Sequence, residues 1–142
     1  MEQKNLTVDV GLKEYDINGA CLIRFNPTDI NWIERLYAIF EQLSERQERW
    51  EAATKAQNSA RELFKTAREL DKEMRELIDG ELGQPVCESV FGASNIYALA
   101  DGLPLWANLL LALLDETETG FAGAEKIGNR RMDAYLKKYK QK

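Results

Sequence analysis

The chain has 142 residues, of which 44% are hydrophobic and 30% are charged, and its formal net charge is −5. This length suits a single domain that buries about two-thirds of its unfolded surface, and this composition excludes global disorder. The sequence has no histidine, and its two cysteines, Cys21 and Cys87, form no CxxC motif. Because the usual general base, the common nucleophile pairs and zinc ligands are missing, we predict no enzymatic activity, no catalytic residue, no cofactor and no metal. We expect both cysteines to be small buried apolar side chains.

Charge is distributed unevenly along the chain. Residues 124–142 carry seven Lys and Arg against two acidic residues, a net charge of +5, which leaves −10 for residues 1–123. This acidic body argues against nucleic-acid binding by the whole domain, because phosphate contacts need a basic surface. We therefore predict a single domain at 1–120 and a basic tail at 121–142 that is helical or disordered. No charged and then apolar leader stands at the N-terminus, which favours the cytoplasm.

The first part of the chain predicts an antiparallel β-ribbon at residues 5–25. Apolar residues alternate with polar ones at its start, as in a half-buried strand, at Leu6, Val8 and Val10. Two further strands follow, joined by Asn18-Gly19, which supplies the positive φ angles of a type I′ turn. A two-stranded ribbon is only marginally stable alone, so it must lie on the helices or pair with a second subunit through its exposed edge.

Two amphipathic helices are predicted next, at about 27–57 and 60–80. Pro27 suits the first position of the first helix, and residues 59–62 have the form of a capping box that begins the second. The apolar seams of the two helices are not in register, so we expect a helical hairpin. No Gly or Pro marks a turn near residues 57–58, and one continuous helix with a stutter is the alternative.

The most apolar stretch covers residues 85–116, and we expect the rest of the chain to be organised around it. Glycines and a proline divide it into helices at 86–91, 94–101 and 104–116. The last helix is shorter than the ~20 apolar residues that cross a bilayer, so we predict that it is buried on nearly every side. The fold class is then α+β and mostly α, with an N-terminal antiparallel β-hairpin packed on a bundle of about five helices.

Aromatic residues and one asparagine are the candidate interaction sites. Asn108 lies inside the apolar helix and needs a hydrogen-bond partner if it is buried. It is either a core amide bonded to a loop backbone or a group that fixes register at an interface. Trp50 has charged neighbours and is either a lone core contact or a partner anchor. The candidate protein-interaction residues are Trp50, Phe91, Tyr97, Trp106, Asn108, Tyr135 and Tyr139.

One segment resembles a known family. Residues 78–92, IDGELGQPVCESVFG, followed by Asn-Ile-Tyr at 95–97, are similar to small tail assembly chaperones of phages and prophages of Gram-positive bacteria. In that family an acidic helix ends in a Gly-containing turn, and a short Cys-containing helix leads to a Phe-Gly pair. Residues 11–19 and the Arg-Phe-Asn-Pro sequence at 24–27 resemble the start of the same proteins.

The resemblance implies a non-enzymatic protein of the bacterial cytoplasm that associates with itself. Its partner would be the tape measure protein, or another phage tail protein, which it would bind and keep soluble during tail assembly, with no membrane involved. Two other functions remain open. One is a structural phage component, such as a head-tail connector or a tail accessory protein, and the other is a small regulator that binds nucleic acid through residues 121–142.

Overall fold

The computed structural model describes residues 2–56 and 59–117, together with Lys137. Its elements, in chain order, are β1 (Lys13–Ile17), β2 (Cys21–Phe25), α1 (Ile30–Ala56), α2 (Ala60–Leu82), α3 (Cys87–Phe91), β3 (Leu99–Ala100), β4 (Leu103–Pro104) and α4 (Leu105–Thr117). The predicted α+β, mostly helical class with an N-terminal antiparallel hairpin is therefore confirmed, with four helices in the described ranges where about five were expected.

The β1–β2 turn has the positive φ angles predicted for Asn18-Gly19, but the predicted two-residue connection is one residue too short. Asn18 and Gly19 both have positive φ angles, 56° and 69°, and Ala20 N donates to the carbonyl of Ile17 at 3.0 Å. Asparagine tolerates this conformation better than most residues and glycine adopts it freely, which is why the pair favours a type I′ turn. Ala20 adds one residue after the turn, so Ile17 lies opposite Cys21.

The inner face of this ribbon packs on the helices. Ile23 and Phe25 of β2 are 0% and 2% exposed. The Phe25 ring stacks between two others, with its centroid 4.4 Å from that of Tyr15 and 4.5 Å from that of Trp32 at the start of α1. The ribbon thus gains its stability from the helical core, which is the first of the two arrangements expected for it.

The strand predicted around residues 6–10 is wrong. The chain has no secondary structure from residue 2 to residue 12, and its alternating apolar side chains are exposed, at 88% for Leu6, 76% for Val8 and 61% for Val10. The carbonyl of Val10 accepts a hydrogen bond from Asn26 Nδ2 at 3.0 Å, and Gly11 has a φ of 73°. These features fix Val10 and Gly11 beside Asn26, and the alternating segment joins no sheet within the described chain.

The first helix begins three residues later than predicted. The Asn26 carboxamide oxygen accepts from Thr28 N at 2.9 Å, and the Asp29 carboxylate accepts from Asn31 N at 2.9 Å. These side chains stabilise turns in place of a helix that starts at Pro27, so α1 begins at Ile30.

The two long helices form the predicted helical hairpin. Glu73 of α2 accepts from Arg46 Nε at 2.7 Å and from Arg49 Nη2 at 3.1 Å, both on α1. Ser59 caps α2 as expected, because its hydroxyl accepts from Glu62 N at 3.4 Å. The turn at residues 57–58 lies outside the described residues.

The helix predicted at 94–101 is also wrong. Leu99 and Ala100 pair with Leu103 and Pro104 as a short antiparallel ribbon. The connecting residues Asp101 and Gly102 have φ angles of 54° and 78°, which is the same type I′ geometry as in the first ribbon. The prediction treated Gly102 as a helix end. Pro104 therefore ends a strand, and α4 begins one residue later.

Helix α4 supplies much of the core. The prediction that it is buried on nearly every side is wrong. Its inner face buries Trp106, Leu110 and Leu113, whereas Ala112 is exposed and Leu105 is half-buried. These two residues are accessible because neither the β1–β2 ribbon nor α3 covers the outward side of this helix.

The two cysteines differ in burial. Cys87 is buried, as expected, and Cys21 is half-buried, and both are free thiols. Burial, together with the nearby Asp79 carboxylate, raises the pKa of the Cys87 thiol, which keeps this side chain protonated.

Among the described helices, none is both long enough and apolar enough to span a membrane.

Candidate protein-interaction surfaces

Three of the seven predicted interaction residues do not contribute to a described surface. Trp106 is 0% exposed and donates its indole N–H to Gln47 Oε1 at 3.0 Å, so it is a core residue. The indole thereby gives a hydrogen-bond partner to the Gln47 side chain, which is itself only 3% exposed. The tail residues Tyr135 and Tyr139 lie outside the described residues.

The structure brings Trp50 and Tyr97 together, and with Leu99 they form what we call the aromatic patch. The ring centroids of Trp50 and Tyr97 lie 4.6 Å apart with an interplanar angle of 34°. A depression of about 290 Å³ opens beside them, with Glu51 and Lys55 on its rim. Trp50 is half-buried and Leu99 is 61% exposed, whereas Tyr97 is only 4% exposed and supports the Trp50 ring from the core. Aromatic side chains beside a charged rim are typical of protein–protein interfaces.

Helix α2 holds the loop that carries Tyr97. Asp71 Oδ1 accepts from Ile96 N at 2.8 Å, and Asp71 Oδ2 pairs with Arg75 Nε at 2.9 Å. Arg75 also donates to two carbonyls of this loop at 2.8 and 2.6 Å, those of Gly92 and Ser94. The four-residue spacing of Asp71 and Arg75 indicates an ion pair on a helix. Nothing in the sequence indicates that the pair also bonds a loop some twenty residues further on.

The Tyr97 hydroxyl is buried and has no hydrogen-bond partner among the described residues. Burial, and to a smaller extent the Asp71 carboxylate, raises the pKa of Tyr97 to about 12. The neutral form is thus the one that the fold accommodates. Since the unfolded side chain ionises near pH ~10, the contribution of Tyr97 to stability falls as the pH rises from there toward its folded pKa.

We predict that Tyr97→Phe leaves the free energy of unfolding unchanged or raises it by up to ~1 kcal/mol, because it removes an unpaired buried hydroxyl. Urea unfolding at neutral pH measures this change. In a spectrophotometric titration of the folded protein, the variant should have one tyrosine fewer that ionises above the ordinary pKa of ~10. A loss of stability above ~2 kcal/mol would instead mean that the hydroxyl has a bonding partner.

Phe91 and Asn108 lie at a second surface, which we call the α4 groove. It runs between the β1–β2 turn, α3 and the outward side of α4, with a volume of about 390 Å³. A recess of about 200 Å³ continues it past Tyr15 toward Glu116. Its apolar walls include Ile17, Val90, Phe91, Leu105, Leu109 and Ala112.

Asn108 is half-buried at this groove, and its carboxamide nitrogen is bonded to a neighbouring backbone group. Its Nδ2 donates to the carbonyl of Ala100 at 2.9 Å, which ties α4 to the β3–β4 ribbon. This is the first of the two alternatives for the residue, an amide bonded to a nearby backbone. The groove therefore offers a mainly apolar surface to a partner.

The two outer edges of the N-terminal ribbon differ. On the β2 side, the Gln84 carboxamide accepts from Arg24 N at 3.0 Å and donates to Arg24 O at 3.2 Å. A side chain thus takes the place of a third strand there. On the other side, β1 is hydrogen-bonded to β2 alone within the described residues. The edge next to the α4 groove is the one that can accept another strand.

No family model, curated protein or solved structure matches the chain. Its function must therefore be inferred from these surfaces. In the ranges 2–56 and 59–117, no cluster of three or more Cys, Asp or Glu side chains is placed to hold a metal ion. The aromatic patch and the α4 groove are the candidate binding surfaces of the described chain.

Proposed function

We propose that this protein is a non-enzymatic phage tail assembly chaperone, which binds and solubilises the tape measure protein in the bacterial cytoplasm during tail assembly. The aromatic patch carries this proposal. In this patch Trp50 is half-buried, Leu99 is exposed, and Tyr97, which is only 4% exposed, packs against Trp50. Tryptophan is among the residues that most often dominate the binding energy at interfaces. The segment at 78–97 that resembles this family ends at Tyr97.

The patch suits a helical client. An amphipathic helix presents apolar side chains every three or four residues, and a depression of about 290 Å³ has room for one or two of them. Glu51 and Lys55 can pair with charges beside the apolar stripe of such a helix. One patch covers a short part of a long client, so several copies must bind along it, and we therefore propose that the protein acts as a homo-oligomer.

Net charge supports the same role. Residues 1–123 carry a net charge of −10, and a large net charge keeps proteins and their complexes soluble. A chaperone of an apolar, elongated client needs this property as well as an exposed binding surface.

The test is co-expression of the tagged full-length protein with the product of the longest neighbouring tail gene, followed by pull-down and light scattering. We expect the long protein to be soluble only in the presence of this chain, with several copies bound per client. Leu99→Ser should weaken retention of the client about tenfold, which corresponds to ~1.4 kcal/mol. Leu22→Ser is the matched control, since Leu22 is 63% exposed and lies outside the patch.

Two results would contradict the proposal. One is a client that is equally soluble when expressed alone. The other is an equal loss of binding in the Leu99 and Leu22 variants, which would place the client elsewhere on the surface.

A structural phage component, such as a head-tail connector or a tail accessory protein, is the second candidate. The open outer edge of β1 favours it, because strand addition builds fixed assemblies. Mass spectrometry of purified particles separates the two functions, since a chaperone is absent from finished virions and a component is present.

The regulator hypothesis depends on residues 121–142, which lie outside the described residues apart from Lys137.

A further inference from the structure

We infer that copies of this chain associate by strand addition, in which the N-terminal arm of one copy pairs with the outer edge of β1 in another. We define the arm as residues 5–10. Its apolar side chains would lie over the α4 groove of the receiving copy. The inference concerns self-association and does not depend on which client the protein binds.

The arm has the pattern of a strand with one buried face but pairs with no strand among residues 2–56 and 59–117. Leu6, Val8 and Val10 occupy every second position, which places them on the same side of an extended segment. All three are more than 60% exposed. Exposed apolar side chains in this arrangement indicate a surface that is buried by a partner.

The arm is held away from the open edge of its own ribbon. The carbonyl of Val10 is bonded to Asn26, the residue that directly follows β2. Gly11 N donates to the Asp9 carboxylate at 2.8 Å, and Gly11 has a φ of 73°. A Cβ at Gly11 would lie 2.6 Å from Asn26 Nδ2, so the glycine allows this close approach. These contacts tie the end of the arm to the residue that follows β2, and not to the open edge of β1.

The β1 edge and the α4 groove match the arm in length and in apolar character. β1 has five residues, about 16 Å of extended chain, and the arm has a similar length. Tyr15 and Ile17 of β1 line the recess and the groove, so a strand added to this edge would place alternate side chains over apolar walls. Gln84 blocks the other edge, which leaves β1 as the open edge of this ribbon in the described part of the chain.

The donor and the acceptor are on the same chain, which is why we assign the occupant as a second copy. Within the described residues, each copy has an arm that pairs with no strand and a β1 edge that pairs with no third strand. Association between copies would pair the arm of one with the edge of another. A reciprocal exchange closes a dimer, and a one-way exchange builds a ring or a filament.

The test compares the full-length protein with two variants by sedimentation over a wide range of protein concentration. Val8→Asp places a charge on the apolar side of the arm, and we expect it to weaken association at least tenfold. Because Val8 is 76% exposed and outside the core, the variant should keep its fold, which circular dichroism verifies. Phe64→Asp is the control, since Phe64 is 59% exposed and lies on α2.

Hydrogen exchange locates the contact. Amides of residues 5–10 and of β1 should become protected as the concentration of the unmodified protein rises, and this protection should be lost in Val8→Asp. A protein that remains monomeric at every concentration overturns the inference. So does association that Val8→Asp leaves unchanged, or that the Phe64 control weakens equally, because either result would place the contact on another surface.

Discussion

Replacing Trp106 with alanine is expected to lower the free energy of unfolding by ~3–5 kcal/mol, the usual cost of truncating a buried aromatic side chain. Trp106 is 0% exposed, and its ring lies 5.9 Å from that of Phe40 on α1. The substitution also leaves the Gln47 Oε1 acceptor unpaired, which adds the desolvation cost of a buried polar group. The total is a large part of the ~5–15 kcal/mol that stabilises a typical domain.

Urea unfolding followed by circular dichroism measures this loss, and Trp50→Ala is the matched control. Trp50 is half-buried and packs against Tyr97, so its truncation should cost clearly less. Equal losses in the two variants would contradict the division of these residues between the core and the aromatic patch.

The second large effect is expected at Asp71. Asp71→Ala removes the acceptor of Ile96 N and the partner of Arg75, and both charged side chains are only about one-fifth exposed, at 22% and 19%. Hydrogen bonds to a charged group contribute ~1.5–3 kcal/mol, so we expect a loss of about 3 kcal/mol. The loop at 92–97 should also loosen, which would move Tyr97 away from Trp50.

Two measurements separate the effects of this substitution. Urea unfolding gives the loss of stability, and near-ultraviolet circular dichroism reports the packing of the aromatic patch under native conditions. Glu73→Ala is the control, since its ion pairs to Arg46 and Arg49 are more exposed and should contribute only ~0–1 kcal/mol. A native aromatic signal in Asp71→Ala would show that the loop does not need this carboxylate.

The sequence predicted the features that depend on neighbouring residues. The Asn18-Gly19 turn, the Ser59 cap and the division of the long helical region into two helices all follow from local chemistry and periodicity. The second ribbon could have been predicted in the same way, because Asp101-Gly102 carries the same turn signal. It was missed because a glycine after an apolar segment also ends helices.

The features that the sequence could not predict depend on distant parts of the chain. Alternation at residues 6–10 favours a strand, but a strand forms only where an edge is within reach, and Asn26 holds this segment elsewhere. The sequence could not predict that Tyr97 contacts Trp50 either, because hydrogen bonds from α2 to a distant loop position Tyr97. Single-sequence patterns report which side chains prefer burial and leave open which partner buries them.

The position of α4 at the end of the described domain has a consequence for folding during synthesis. The β1–β2 ribbon and the α1–α2 hairpin join neighbours in sequence, so both can form early on the nascent chain. The core remains incomplete until α4 brings in Trp106, Leu110 and Leu113. Ribosome-bound chains that end before Leu105 should therefore expose the apolar side of α1, and such intermediates are the ones most prone to aggregate.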